Sequence, residues 1–127
     1  MKIYFYKYQG TGNDFIILDN RKNEYSSISP EQIRRLCDRR FGIGADGLML
    51  MNEKQGFDFE MKYYNSDGGE GSMCGNGGRC MLKFSYHMGI HINEYKFIAI
   101  DGVHEGEIDP DGIVSLKILS DWLRIIP

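Results

Sequence analysis

The stretch "NGGRCMLKFSYHMG", residues 76–89, contains the helix on which the rest of the fold depends. Its larger apolar side chains fall around most of a helical circumference: Cys80, Met81, Leu82, Phe84, Tyr86 and Met88. Gly89 follows them and is typical of a helix end. Because a helix that is apolar on most sides is buried on most sides, we expect a sheet to wrap around this segment.

The segments before and after this helix are mostly strands. Residues 3–8 and 15–20 are rich in aromatic and β-branched side chains and flank the turn "QGTGND", which predicts a hairpin. Strands are also predicted at 48–52 and 57–65. After the helix, three more are predicted in the segments "EYKFIAIDG", "VHEGEID" and "GIVSLKIL", which "DG" and "DPDG" turns separate.

A second helix is predicted from the segment "SPEQIRRLCDRRFG", residues 29–42. Ser29 is a typical N-cap, Pro30 suits the first helical position, and Gly42 is a stop signal. Its apolar residues recur at helical spacing: Ile33, Leu36 and Cys37. The resulting order is β-β-α-β-β-α-β-β-β, and its short connections favour antiparallel pairing. The class is α+β, a mainly antiparallel sheet in a barrel-like wrap around a central helix.

Composition predicts one domain, residues 1–127, and excludes several function classes. The chain has 42% hydrophobic residues, a net charge of −3 and no basic cluster beyond "RRLCDRR", so we expect small-molecule partners rather than nucleic acid. No apolar run approaches the length of a membrane span, and the N-terminus lacks the apolar core of a signal peptide. Three cysteines, an odd number, fit reduced thiols in a cytoplasmic protein.

Cys74 lies directly before the central helix, in "SMCGNGGRC", residues 72–80. The first backbone N–H groups of a helix lack internal partners and carry partial positive charge, which favours a thiolate. Such a position lowers a thiol pKa from about 8.5 to about 7.5 or below. Glycines after the thiol would let a carboxylate approach these N–H groups, while Asn76 caps the helix or donates to a ligand and Arg79 adds positive charge. A flexible glycine turn with an inert cysteine is the alternative.

Other motifs point to no cofactor or metal. "GIGADG", residues 42–47, completes GxGxxG but follows a helix and precedes a strand, the reverse of a dinucleotide site. "NSDGGEG" lacks the closing glutamate of a calcium loop and is interpreted as a turn. His87 and His91 have metal-like spacing, yet Gly89 intervenes, so we predict surface histidines. Cys37 and Cys80 are assigned to packing, with a Cys74–Cys80 redox pair as a weak alternative.

Four segments resemble the diaminopimelate epimerase family. They are "YQGTGNDFIILD" (8–19), "RRFGIGADGLML" (39–50), "YYNSDGGEGSMCGNGGRC" (63–80) and "AIDG" (99–102), in the family's order and spacing. The resemblance implies a cofactor-independent isomerase of bacterial lysine and cell-wall precursor synthesis. It also implies two pseudo-symmetric halves, each a barrel-like sheet around a helix, with the active site between them.

The resemblance also implies roles for individual residues. Cys74 matches one of two catalytic cysteines, and Gly75 and Asn76 match the donors that hold substrate at the helix start. Asn13 and Asn65 match residues that bind the distal and reacting ends of the substrate; without the resemblance, each would be interpreted as a turn residue.

Two glycines depart from the family's pattern. Gly47 falls where some members carry a substrate-contacting glutamine, so that contact would be missing or supplied by backbone. Gly78 replaces the commoner alanine, which lowers helix propensity by about 1 kcal/mol at most.

The main departure is length, because the family has a second half with another cysteine. We therefore expect residues 1–127 to form an N-terminal lobe whose C-terminal lobe is absent from this chain, with "DWLRIIP" at the start of the connection. The implied reaction converts LL- to meso-diaminopimelate by proton transfer between two cysteines, and we expect the chain alone to be inactive. Alternatives are a homodimer that presents Cys74 twice, a non-catalytic amino-acid-binding module, a related cysteine racemase such as one acting on proline, and, weakest, a thiol redox protein.

Overall fold

The computed structural model describes residues 2–72, 75–118 and 121–124, with backbone only for 118 and 121–124. It confirms the α+β class with two helices and nine strands in the described residues. The elements, in chain order, are β1 (Tyr6–Gly10), β2 (Asn13–Asp19), α1 (Pro30–Cys37), β3 (Gly47–Asn52), β4 (Phe59–Asn65), β5 (Glu70–Gly71), α2 (Gly75–His87), β6 (Glu94–Ala99), β7 (Gly102–Ile108), β8 (Val114–Ile118) and β9 (Asp121–Arg124). Seven strands were predicted; β5 and β9 are the additional two.

All nine strands join one sheet in the order β1-β2-β3-β4-β6-β7-β8-β9, with β5 paired to β4. The predicted hairpin is confirmed as β1–β2, whose two-residue turn contains Gly12 at φ 82°. Most pairs are antiparallel, but β2–β3 and β4–β6 are parallel. The short-connection argument was wrong there because α1 and α2 lie between the paired strands and provide the crossover that parallel pairing needs.

The two helices pack on opposite faces of the strands β2 and β3. Alternate residues of these strands point to opposite faces, so Ile17 and Met49 join the core cluster that contains α2, while Ile16 and Leu48 join the cluster that contains α1. We call these the α2 cluster and the α1 cluster. Burial on both faces explains why β2 is a continuous apolar run rather than an alternating one.

The sheet curls around α2, as the sequence predicts. The helix contacts β1 at one end of the strand order and β8 near the other, as well as β2, β3 and β7 between them. Cys80, Met81, Leu82 and Phe84 are buried. Tyr86, another of the apolar residues noted in the sequence, is 43% exposed and lies on the side of the helix that the sheet does not cover. In β7, a Cβ on Gly106 would overlap the Leu82 side chain, so the glycine allows the close approach of sheet and helix.

Helix α1 begins as predicted but ends earlier. Ser29 and Gln32 form a capping box, in which the Ser29 hydroxyl accepts from the Gln32 N–H. The last helical residue is Cys37, not a residue next to Gly42. The Asp38 carboxylate accepts the backbone N–H groups of residues 40 and 41 and turns the chain back toward α1. A Cβ on Gly42 would overlap the carbonyl oxygen of residue 35, which explains the glycine at this turn.

Candidate functional site

One end of the sheet collects three of the segments that the sequence singles out. The register aligns Phe15 of β2 with Gly47 of β3, and Gly47 with Asn65 of β4. Because β2 and β3 are parallel and β4 is antiparallel to both, the starts of β2 and β3 lie beside the end of β4. Asn13 is the first residue of β2 and Asn65 the last of β4, so the structure places both at this end.

These residues also share the face of the sheet that carries α2. Side chains of a strand repeat their direction every second residue. Asn13, Gly47 and Asn65 have the same alternation as three members of the α2 cluster on their own strands, namely Phe15, Met49 and Met61. The candidate site is therefore the end of the α2-bearing face.

The β1–β2 turn contacts the first turn of α2. The Asn76 amide nitrogen donates to Asn13 Oδ1 at 2.8 Å and to the Thr11 carbonyl oxygen at 3.2 Å. A Cβ on Gly10 would lie 3.1 Å from the Cβ of Asn76, so the strand passes close to the helix. The structure thus brings together Asn13 and Asn76, which are 63 positions apart in the sequence.

Asn65 lies in a tight turn at the end of β4. Its backbone N–H donates to the Gly69 carbonyl at 2.9 Å, and its own carbonyl accepts from the Gly68 N–H at 2.9 Å. A Cβ on Gly71 of β5 would lie 2.9 Å from the amide nitrogen of Asn65, so β5 passes directly beside this side chain. Asn65 is exposed, and β3 separates it from Asn13. It therefore belongs to the same end of the sheet without direct contact to the Asn13–Asn76 pair.

Gly47 has no space for a side chain. A Cβ there would lie 2.8 Å from both the Tyr63 hydroxyl oxygen and the Tyr64 carbonyl oxygen. Real Cβ contacts are longer, and the Tyr64 atom belongs to the backbone of the adjacent strand. A glutamine at this position would therefore require β3 and β4 to shift, which is consistent with its absence here.

Four charged residues form a cluster of ion pairs next to the β1–β2 turn: Lys7, Asp14, Arg39 and Asp46. The Asp14 carboxylate accepts from Lys7 Nζ at 2.8 Å and from Arg39 at 2.8 and 3.1 Å, and Arg39 also pairs with Asp46 at 3.0 Å. The hydrogen bond from Arg39 is the largest cause that holds the pKa of Asp14 well below its usual range. Sequence reasoning missed this cluster. Its signal was the charge pattern inside "KYQGTGND" and "RRFGIGADG", whose proximity only the parallel β2–β3 pairing creates.

Cys74 lies outside the described residues, and so does Met73. Helix α2 begins at Gly75, the next residue in the sequence, within one position of the predicted start. Arg79 of this helix donates from Nη1 to the Thr11 hydroxyl at 3.3 Å. Its buried Nε has no hydrogen-bond acceptor among the described residues. The guanidinium therefore lies at the junction of α2 and the β1–β2 turn.

The assignment of Cys37 and Cys80 to packing is confirmed. Cys37 is 3% exposed in the α1 cluster, and burial raises the pKa of its thiol to about 11. Cys80 is 4% exposed in the α2 cluster. The two thiols are thus buried in different clusters.

The histidines and the acidic loop behave as surface features. His87 and His91 are both exposed; His87 hydrogen-bonds the Tyr8 hydroxyl, and the His91 ring lies 4.5 Å from that of Tyr86. The "NSDGGEG" segment forms the predicted turn, together with β5. Across residues 2–72 and 75–118, no three metal-ligating side chains of His, Cys, Asp or Glu come together. Within the described part of the chain, neither helix is long and apolar enough to cross a membrane.

Solved structures share this fold at low sequence identity. A phenazine biosynthesis protein of the PhzF family from Enterococcus faecalis superimposes with a TM-score of 0.66 over 97% of this chain, at 12% identity, and this chain covers 47% of it. At that identity the similarity concerns the fold alone.

Sequence comparison identifies much nearer relatives. The diaminopimelate epimerase of Flavobacterium psychrophilum is 54% identical over 118 residues, which are 93% of this chain and 45% of the relative. That of a Synechococcus strain is 43% identical over 120 residues, 92% of this chain and 42% of the relative. The chain thus spans less than half the length of these relatives. The family model described as diaminopimelate epimerase matches residues 5–116, and the chain belongs to the diaminopimelate epimerase family.

Proposed function

We propose that this chain supplies one side of the active site of a bacterial, cytoplasmic epimerase of lysine biosynthesis that interconverts LL- and meso-diaminopimelate. The observation that carries the proposal is the convergence of Asn13, Asn65 and the start of α2 at one end and on one face of the sheet. Those are positions that the family resemblance assigns to substrate. Reduced thiols persist in the cytoplasm, which the proposed cysteine chemistry requires.

The start of α2 provides the anion-binding part of the proposed site. The backbone N–H groups of a helix start and its macrodipole attract a carboxylate, and Gly75 presents that backbone without a side chain. We assign the α-carboxylate of the substrate to the backbone N–H groups of Gly75 and Asn76. The amides of Asn13 and Asn65 then contact the distal and reacting ends of the substrate.

Cys74 is the proposed acid–base group. One thiolate removes the α-proton, and a thiol on the opposite face of the α-carbon delivers another, so the configuration inverts. The carbanion formed between these steps is stabilised by N–H groups on the carboxylate in a site closed to water. No cofactor has a role in this scheme.

Neither Cys37 nor Cys80 of this chain is proposed as the second thiol. Of its three cysteines, Cys37 is buried in the α1 cluster with a raised pKa, and Cys80 is buried in the α2 cluster. We propose that the opposing cysteine belongs to a C-terminal lobe, in keeping with the chain's coverage of only 42–45% of its relatives. Residues 1–127 would then be an N-terminal lobe, without appreciable turnover alone.

The state of Cys74 is testable in this chain by alkylation. We expect iodoacetamide to modify Cys74 with a pH midpoint of about 7.5 or lower, because a helix start stabilises the thiolate. Cys37 and Cys80 should stay unmodified in the folded protein because they are buried. Mass spectrometry of proteolytic peptides identifies the site, and the variant Cys74→Ser is the matched control. A midpoint near that of an unstructured peptide would contradict the proposed role.

The activity of the chain is tested by LL to meso conversion. We expect none from purified chain of verified mass, because inversion needs a second thiol on the opposite face of the α-carbon and Cys37 and Cys80 are both buried. Steady turnover that survives Cys74→Ala would refute the assignment of Cys74. Turnover that Cys74→Ala abolishes, in a sample that sediments as a dimer, would support the homodimer that presents Cys74 twice.

A further inference from the structure

We propose that Asp46 is a positioning residue, whose carboxylate fixes the orientation of the Asn13 amide and, through it, that of the Asn76 amide. Its functional consequence rests on the proposed roles of Asn13 and Asn76 in substrate binding. The orientation itself is a property of this chain and is tested separately from activity.

Asp46 is hydrogen-bonded to the start of β2 through both its backbone and its side chain. Asp46 Oδ2 accepts from the Asp14 N–H at 3.1 Å and from Asn13 Nδ2 at 3.2 Å. In return, the Asp46 N–H donates to the Asp14 carbonyl at 3.0 Å and to Asp14 Oδ1 at 3.1 Å. Asp46 lies directly before β3, so these bonds fix its carboxylate relative to the first residue of β2.

The Asp46 carboxylate determines the orientation of the Asn13 amide and, through it, that of the Asn76 amide. An ionised carboxylate only accepts hydrogen bonds, whereas an asparagine amide has one accepting and one donating end. Asn13 must therefore turn its nitrogen toward Asp46, which leaves its oxygen to accept from Asn76 Nδ2 at 2.8 Å. With the Asn13 amide reversed, oxygen would face oxygen at Asp46 and nitrogen would face nitrogen at Asn76.

The same logic sets which atom Asn76 has left for a ligand. Its nitrogen donates to both Asn13 and the Thr11 carbonyl, which occupies its two protons. Oδ1 is the remaining polar atom of the amide and can only accept. We infer that the side chain of Asn76 suits an ammonium group, whereas the backbone at the helix start suits a carboxylate. An α-amino acid carries both groups on neighbouring atoms.

The ion pair of Asp46 is secondary to this role. Arg39 donates to Asp46 Oδ1, the oxygen that does not contact Asn13, and 58% of the Arg39 side chain is exposed. Exposed pairs of this kind contribute little to stability. The prediction is that an uncharged acceptor at position 46 suffices, because the role depends on an oxygen next to Asn13 and not on the charge.

The test is hydrogen exchange of the side-chain Nδ2 protons of Asn13 and Asn76, measured by NMR on the isotope-labelled chain. In Asp46→Ala, we expect exchange at both amides to rise about fivefold or more, since local opening is easier without the acceptor. In Asp46→Asn, the new carbonyl oxygen replaces Oδ2 and both rates return to within about twofold of the original. Asp111→Ala, which removes an exposed charge elsewhere, is the control and should change neither rate.

Unchanged exchange in a folded Asp46→Ala protein would overturn the proposal, as would an Asp46→Asn protein that behaves like Asp46→Ala. Should Asp46→Ala fail to fold, Asn13→Asp tests the same contact, because it sets two carboxylates against each other. One of the two should then titrate about one pH unit or more above an ordinary aspartate. Two ordinary titrations would overturn the proposal. None of these measurements depends on catalysis. The proposal for Asp46 can therefore fail while the epimerase assignment holds, and the reverse is also possible.

Discussion

Helices α1 and α2 lie on opposite faces of one sheet and are stabilised in different ways. Helix α1 has a capping box between Ser29 and Gln32 and pairs Glu31 with Arg34 on its exposed side. Only Ile33 and Cys37 are buried. Helix α2 starts with Gly75, has two more glycines in its first turn and is buried over most of its length. Local contacts thus define α1, whereas tertiary contacts define α2.

The difference has a physical reason. Glycine disfavours a helix interior by about 1 kcal/mol relative to alanine, so the first turn of α2 is weak by itself. The surrounding sheet and the Asn76 bonds to the β1–β2 turn compensate for it. The fold thus stabilises the first turn of α2 from the sides, through the sheet and the β1–β2 turn.

The largest expected effect is on the α2 cluster. Phe84 is fully buried, and its ring lies 5.2 Å from that of Tyr6 and 5.7 Å from that of Tyr8. Phe84→Ala should lower the free energy of unfolding by about 3–5 kcal/mol, since it leaves a cavity between helix and sheet. Urea unfolding measures this change. Phe41→Ala is the control, because Phe41 is 87% exposed, and a similar loss in both variants would contradict the importance of the α2 cluster.

An intermediate loss of stability is expected at Gly47, where the candidate site has no space for a side chain. Gly47→Ala should lower the free energy of unfolding by about 1–3 kcal/mol, because its Cβ would press on backbone and on the Tyr63 hydroxyl. Gly69→Ala is the matched control on the exposed loop, where the nearest atom to a Cβ, 3.2 Å away, belongs to an exposed side chain. Thermal unfolding compares the two variants. Equal stability would show that β3 and β4 adjust at no cost and that a larger residue fits the site.

The smallest expected effect is on the local contacts of α1. Ser29→Ala removes the hydroxyl that accepts from Gln32 and should lower the free energy of unfolding by about 1 kcal/mol. Ser27→Ala, an exposed serine in the preceding segment, should change it by less than about 0.5 kcal/mol. Denaturant midpoints of the two variants, measured side by side, show whether Ser29→Ala loses more stability than Ser27→Ala. A larger loss of unfolding free energy in Ser29→Ala than in Phe84→Ala would contradict the conclusion that the packing of α2 contributes more to stability than the local contacts of α1.

The sequence predicts much of the fold because its local signals agree with the tertiary structure. The N-cap at Ser29, the end of α2 before Gly89 and the β1–β2 hairpin all follow from local rules and are confirmed. The end of α1 was predicted too late because the Asp38 turn competes with a helix that Gly42 would otherwise close. The parallel pairs were missed because pairing partners depend on where each helix crosses the sheet.

The candidate site divides in the same way. The motif around Cys74 and the asparagines at 13, 65 and 76 were recognisable from residue type, glycine spacing and family resemblance. Their shared end and face were not, since these follow from the register of β2, β3 and β4. The sequence contains no signal for the proposed role of Asp46, because aspartate before a glycine is common in turns for backbone reasons.

The sequence by itself determined the two helices, most of the strands and the family, because each is encoded in periodicity, caps and motifs that neighbouring residues share. Only the tertiary structure decided that β2 runs parallel to β3, that Asn13 meets Asn76 and that Cys37 and Cys80 are buried in separate clusters. Those arrangements depend on how the sheet curls around α2, and contacts between residues more than 60 positions apart have no signature in a local pattern.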